Sequence, residues 1–240
     1  MPIQLDAFLQ LTNEALTASI VIVSASILLY NLTRNLSSRV ARASSVLLAC
    51  VTAVYMVDVL TSLNPTTGAL RVWLRVQWVG ITFAPAAMFH LSGALLATTG
   101  LVSRGRRRRV IRFLYVFSLL FLVMALFSDA LVYGLVETPA PHLLPGPVFP
   151  LYVTFFLLAT IVSVYNVLRA RRRCLTTYTH RRMGYLLYSF TMPALGIFPY
   201  SLLFVETGSS LFFWLVVILS NLGIALMLLF MAYPLSFFGS

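Results

Sequence analysis

The sequence predicts an all-α polytopic membrane protein, a bundle of seven transmembrane helices, and three observations lead to this fold class. Hydrophobic residues make up 60% of the 240-residue chain and charged residues 10%, whereas soluble domains carry roughly 25% charged residues. Seven apolar segments are each long enough to span a bilayer, which takes about 20 helical residues. All seventeen basic residues are arginines, and most of them fall in three clusters between these segments.

The arginine clusters predict how the helices are oriented. The clusters occupy residues 34–42, 104–112 and 169–182. Short loops rich in Lys or Arg stay on the cytoplasmic side during membrane insertion. The six acidic residues lie in or next to the alternate connections and the N-terminus. We therefore expect a multi-pass protein of the cytoplasmic (inner) membrane, with the N-terminus outside and the C-terminus in the cytoplasm.

Taken in order, the apolar segments predict a single seven-helix domain over residues 1–240. We expect helices near 9–32, 42–63, 70–98, 110–135, 148–170, 183–206 and 210–233. The longest connection on the predicted outer side, residues 127–150, contains four prolines before Pro150. A proline lacks an N–H and fixes φ, so this connection cannot continue a helix. It predicts an ordered cap or a hairpin-like flap over the outer face.

Charge and motifs exclude several classes of function. A net charge of +11 would suggest nucleic-acid binding in a soluble protein, but here it follows from the arginine-rich loops and favours the lipid bilayer as the partner. The chain has no lysine, which excludes a retinal Schiff base. The sequence has no metal-ligand spacing, phosphate-binding loop or hydrolase motif. We expect no metal, no cofactor and no enzymatic activity in this chain.

Ionisable residues inside apolar spans are costly and are therefore candidates for function. The clearest is Asp58, near the outer end of the second helix. Arg71 and Arg75 open the third helix with i, i+4 spacing, which places both on one face. We expect Asp58 to form an ion pair with Arg75; a ligand site built from Asp58, Arg71, Arg75 and Gln77 is the alternative. Arg75 and Gln77 are expected to point to roughly opposite sides of their helix.

A second group of residues predicts a polar seam through the bundle. Its members are His90, Tyr188, Tyr200, Ser220 and Asn221. The Asn221 amide lies mid-span, where it must bond another helix or a trapped water. His90 has no second histidine at a similar depth, so we expect a hydrogen bond to a neighbouring helix rather than haem ligation.

Two prolines inside predicted helices are candidate hinges. Pro85 in the third helix frees a backbone carbonyl one turn earlier, and Pro193 does the same in the sixth. Prolines are a common cause of helix kinks. We expect Pro85 and Pro193 to be the points on which a conformational change acts.

The third helix also carries a sequence resemblance. The run Trp73–Ile81, followed by Pro85, Phe89-His90 and Thr98-Thr99-Gly100, resembles the seven-transmembrane N-terminal sensor region of bacterial histidine kinases and related signalling enzymes. The resemblance implies a domain that senses a stimulus at or within the membrane and passes a shift through helix 7 to a cytoplasmic signalling domain or partner, as a homodimer. The chain is then either a fragment of a longer protein or a free-standing relative with a separate partner.

Two other functions remain open from the sequence. In a small permease or channel, the polar seam would line a path across the membrane. In an accessory subunit of a larger membrane complex, the apolar exterior would be the working surface. Flux in proteoliposomes would favour the first, and a stable co-purifying complex would favour the second.

Overall fold

The computed structural model describes residues 2–34, 38–63, 65–100, 105–137, 140–202 and 210–236. Within these residues the chain forms seven helices and one two-stranded sheet. In chain order the elements are α1 (Pro2–Arg34), α2 (Arg39–Thr61), α3 (Thr67–Thr98), α4 (Gly105–Phe127), β1 (Val132–Val136), β2 (His142–Pro145), α5 (Phe149–Arg171), α6 (Thr177–Leu202) and α7 (Ser210–Ser236).

The prediction of an all-α membrane bundle is confirmed. Within the described residues, six helices, α1 to α5 and α7, are long and apolar enough to cross a membrane. α6 begins with a polar and basic run, residues 177–182. Large apolar side chains such as Phe113, Leu120 and Phe127 of α4 are exposed on the outside of the bundle. Such an apolar surface is typical of a protein in contact with lipid. Helices can cross the hydrocarbon region because their backbone N–H and C=O groups are hydrogen-bonded within the helix.

The helices form a closed ring with one helix outside it. α1 packs on α2, α2 on α3, α3 on α5, α5 on α6, α6 on α7, and α7 returns to α1. α4 packs on the outer side of α3, and only Ser118, Phe121 and Ala125 of this helix are buried. The ring therefore has an interior that α4 does not reach.

Small and polar residues fix the helix contacts around the ring. At Gly80 of α3 an added Cβ would lie 2.4 Å from the carbonyl oxygen of Cys50 in α2, so α2 and α3 approach closely. Asn166 of α5 donates a hydrogen bond to the Ser92 hydroxyl of α3 at 3.2 Å. Small residues and interhelical hydrogen bonds of this kind drive helix association in membranes, where burial of apolar side chains gives little advantage.

The fourth helix ends earlier than the hydropathy of the sequence suggests. It stops at Phe127 rather than near residue 135, because the apolar residues that follow form β1, which pairs antiparallel with β2. Gly134 has a positive φ of 59°, a backbone conformation that a helix does not use. The expected hairpin-like flap is confirmed as this β1–β2 hairpin, and β2 packs against α3.

Candidate functional site

A cavity of about 230 Å³ lies inside the helix ring, beneath the β1–β2 hairpin. A cavity for one water needs only about 10–15 Å³, so this space is sufficient for a small organic molecule. Most of its wall is apolar or aromatic. The polar side chains among the described residues that line it are Cys50, Tyr55, Asp58, Gln77, His142, Tyr152, Ser220 and Asn221.

Asp58 and Gln77 form a pair in the cavity wall. The Gln77 side-chain N–H donates to Asp58 Oδ1 at 2.5 Å and to the Val54 carbonyl oxygen at 3.4 Å. Asp58 lies in the last turn of α2, three residues before its end at Thr61. The carboxyl group is therefore held at the hairpin end of the cavity by an amide and not by a cation.

The expected ion pair between Asp58 and Arg75 is wrong. Arg75 instead donates to Asp129 Oδ1 at 2.6 Å and to the Leu126 carbonyl oxygen at 2.9 Å. Arg71 is exposed, and neither arginine lines the cavity. The prediction that Arg75 and Gln77 point to opposite sides of α3 explains the outcome, because Gln77 faces α2 while Arg75 faces the end of α4.

A chain of hydrogen bonds joins the cavity to α7. The Tyr55 hydroxyl of α2 donates to Asn221 Oδ1 at 2.9 Å, and Asn221 Nδ2 donates to Asn13 Oδ1 of α1 at 2.7 Å. Tyr55 and Asn221 are buried and both line the cavity. Sequence reasoning expected Asn221 to bond another helix or a trapped water; the structure shows bonds to two helices, and Tyr55 and Asn13 were not foreseen. Tyr55 could have been found from its spacing, because it lies one turn before Asp58 and therefore on the same face of α2.

The carbonyl group freed by Pro85 has a partner on another helix. In an α-helix the N–H of residue 85 would donate to the carbonyl of Ile81, and proline has no N–H to give. The Tyr152 hydroxyl of α5 donates to the Ile81 carbonyl oxygen at 2.8 Å. Transmembrane helices tolerate proline when a neighbouring helix satisfies the freed group in this way. Sequence reasoning missed Tyr152, although a freed carbonyl calls for such a donor.

The remaining members of the predicted seam lie in different places. His90 Nδ1 is 3.3 Å from the Tyr115 hydroxyl of α4, so the expected bond to a neighbouring helix is confirmed. The Ser220 hydroxyl donates to the Val216 carbonyl oxygen of its own helix at 2.9 Å and lies in the cavity wall. The Tyr200 side chain lies outside the described part of the chain.

Tyr188 does not belong to an interior seam. Its side chain is 56% exposed, and its ring packs against Phe230 of α7 at 6.1 Å between centroids. The inward face of α6 is occupied by Leu186, Ser189 and Phe190, which are buried. Pro193, the candidate hinge of α6, is also buried and lines the cavity. Among the described residues no three His, Cys, Asp or Glu side chains are grouped so that they could hold a metal ion.

Comparison with known proteins places the chain in a family. The family model described as the N-terminal 7TM region of histidine kinase matches residues 15–237, which is nearly the whole chain. A comparison with curated proteins found no match. The chain therefore belongs to the family of N-terminal seven-transmembrane regions of histidine kinases, which makes it a multi-pass membrane sensory region and not itself the catalytic part of a kinase.

Proposed function

We propose that the central cavity is where this sensory region detects its stimulus and that the response leaves through α7 to a cytoplasmic signalling output. The observation that carries the proposal is the position of Asn221, whose side chain lines the cavity and hydrogen-bonds both α2 and α1. α7 is the helix that leads to the C-terminal end of the chain. An occupant of the cavity therefore touches the helix whose position an output domain would read.

Hydrogen-bond exchange supplies the two states that a relay requires. The Asn221 amide is held by Tyr55 on one side and by Asn13 on the other. A ligand that takes the Tyr55 hydroxyl as its own partner removes one of these bonds and shifts the balance of α7 between α2 and α1. A ligand shifts an equilibrium between two states only if it binds them with different affinities. We therefore propose that the ligand contacts Tyr55 or Asn221, whose bond differs between the two states.

The proposed orientation places the hairpin end of the bundle outside the cell. The arginine-rich start of α4, residues 105–112, and the arginine-rich residues 169–182 around the α5–α6 turn lie at the opposite end of the helices, and such short arginine-rich regions favour the cytoplasmic side. The cavity and Asp58 then lie in the extracytoplasmic half of the cytoplasmic membrane. A homodimer that docks a cytoplasmic kinase domain or partner is proposed by analogy with the family.

The test fills the cavity without changing charge. Ala84 of α3 lines the cavity, and Ala84→Leu occupies part of it. Ala53→Leu on the exposed face of α2 is the matched control. In a fusion of this region to the cytoplasmic part of a histidine kinase, Ala84→Leu should shift autophosphorylation and abolish its response to stimulus, and Ala53→Leu should not. Equal, wild-type output from both well-folded variants would refute the cavity as the stimulus site.

A further inference from the structure

We infer that the cavity takes a small organic cation, an ammonium group on an apolar or aromatic body, and that Asp58 is its counter-ion. This inference rests on the proposed function, since it names the chemical class of ligand for the same cavity. Three features lead to it: an acid with no cationic partner among the described residues, aromatic rings in the same cavity wall, and the short path along α2 from the acid to the partner of Asn221.

The charge of the lining is unbalanced. Among the described lining residues Asp58 is the one carboxylate, and none is an arginine. Its Oδ1 accepts from Gln77, and no donor in the described part of the chain reaches Oδ2. Arg75, two residues before Gln77 in α3, does not supply this cation, because it donates to Asp129 and to the Leu126 carbonyl oxygen. A carboxylate at this depth is costly unless a proton neutralises it or a cation joins it, and a bound cation stabilises the ionised form.

His142, the histidine among the described lining residues, does not supply a cation for Asp58. His142 of β2 lines the cavity, and its Nδ1 is 2.8 Å from the Ala140 carbonyl oxygen. It forms no ion pair with Asp58, and the ion pair found among the described residues is that of Arg75 with Asp129. An anionic ligand would meet Asp58 without a compensating arginine, so the lining disfavours it. A cationic ligand completes the site.

The walls fit the rest of such a molecule. Trp78 lies edge-on to Tyr152 at 5.4 Å and to Phe149 at 6.2 Å between ring centroids, and all three rings line the cavity. Aromatic faces attract an ammonium group and also pack against an apolar body. Deeper in the cavity the wall is formed by the flexible side chains of Met88 and Met227, which adapt to different apolar shapes.

The position of Asp58 connects binding to the proposed relay. Tyr55 precedes Asp58 by three residues on α2, and residues with this spacing are neighbours on one helix face. Both side chains line the cavity, and the Tyr55 hydroxyl is the donor to Asn221. A cation bound at Asp58 therefore lies within reach of the bond that holds α7.

The test compares three probes of similar shape and different charge. The purified full chain in nanodiscs is titrated with 2-phenylethylammonium, with neutral 2-phenylethanol and with anionic 3-phenylpropionate, and binding is followed by tryptophan fluorescence, because Trp78 lies in the wall. We expect the ammonium probe to bind at least about tenfold more tightly than the alcohol, and the carboxylate to bind most weakly. Equal binding of the ammonium and the alcohol, preference for the carboxylate, or no saturable binding of any probe would overturn the inference.

Matched variants locate the preference. Asp58→Asn should remove the advantage of the ammonium probe while leaving 2-phenylethanol unchanged. Asp129→Asn, which changes an exposed carboxylate outside the cavity, should leave both affinities unchanged. Loss of ammonium binding from Asp129→Asn, or its retention by Asp58→Asn, would contradict the assignment. The comparison of probes on the wild-type chain does not depend on whether Asp58→Asn folds.

The outcome separates this inference from the proposed function. If Ala84→Leu locks kinase output but the probes show no preference for positive charge, the ligand class is wrong and the sensory cavity stands. If the ammonium probe binds through Asp58 but Ala84→Leu leaves the kinase response unchanged, the ligand class stands and the sensory role of the cavity fails.

Discussion

Removal of the Tyr152 hydroxyl should destabilise the protein, and only while Pro85 is present. Tyr152→Phe leaves the Ile81 carbonyl oxygen without the donor that lies 2.8 Å away. A buried acceptor left without a partner costs about 1–3 kcal/mol, and interhelical hydrogen bonds in membranes average about 0.6 kcal/mol with a maximum near 1.7. Tyr152 and Ile81 both line the cavity, where water can take the place of the hydroxyl. We therefore expect a loss of about 1 kcal/mol in the free energy of unfolding.

A double-mutant cycle isolates the cause of that loss. Pro85→Ala restores the backbone N–H that would donate to the Ile81 carbonyl, so Tyr152→Phe in this background should cost less than about 0.5 kcal/mol. Unfolding is measured by denaturing-detergent titration of the purified protein. Tyr165→Phe, the same change at a tyrosine of α5 that is 60% exposed, is the control and should have no effect. Equal costs of Tyr152→Phe with and without Pro85 would refute the reasoning.

Two further predictions concern packing and orientation. Gly80→Ala should lower the free energy of unfolding of the purified protein by more than about 2 kcal/mol, because the new Cβ would collide with the Cys50 carbonyl oxygen. Gly93→Ala should be tolerated, because its Cβ would meet the side chains of Arg107 at 3.4 Å and Ile111 at 4.0 Å. Similar stability of the two variants would contradict the close approach of α2 and α3. With both native cysteines replaced by serine, Glu137→Cys should react with a membrane-impermeant maleimide in intact cells and Arg108→Cys should not, and the reverse pattern would invert the proposed orientation.

The number of helices and the bonding of Asn221 could be predicted from the sequence, because both follow from the position of a residue along a membrane span. Hydropathy predicted seven helices from the length that a bilayer requires, and seven are described. Asn221 was expected to bond another helix or a trapped water, because an amide at mid-span has few alternatives, and it bonds two helices. The end of α4 was misplaced because hydropathy does not separate an apolar strand from an apolar helix. The prolines of residues 127–150 predicted an ordered cap or a hairpin-like flap, and a hairpin is found, although most of β1 had been assigned to the fourth helix.

Sequence reasoning failed where rotation about the helix axis decides the contact. Asp58 and Arg75 were expected at similar depths, yet Arg75 faces the end of α4, where Asp129 competes for it. Tyr188 was expected in the seam but faces outward and packs on Phe230, more than two turns of α7 beyond Asn221. The cavity itself could not be predicted, because it is the space left when five helices and the hairpin pack, and its lining combines residues as far apart in the chain as Tyr55 and Asn221.

The relay through α7 is tested most directly by the kinase output of Asn221→Leu. This change removes the bonds to Tyr55 and Asn13, and a loss of about 1 kcal/mol from one state shifts a two-state ratio about fivefold. Asn166→Leu breaks an interhelical bond of the same kind outside the cavity and away from α7, and is the matched control. In a fusion of this region to the cytoplasmic part of a histidine kinase, we expect basal autophosphorylation of Asn221→Leu to change about fivefold, up or down, and that of Asn166→Leu to stay at the wild-type level. A wild-type level in a well-folded Asn221→Leu protein would contradict the account.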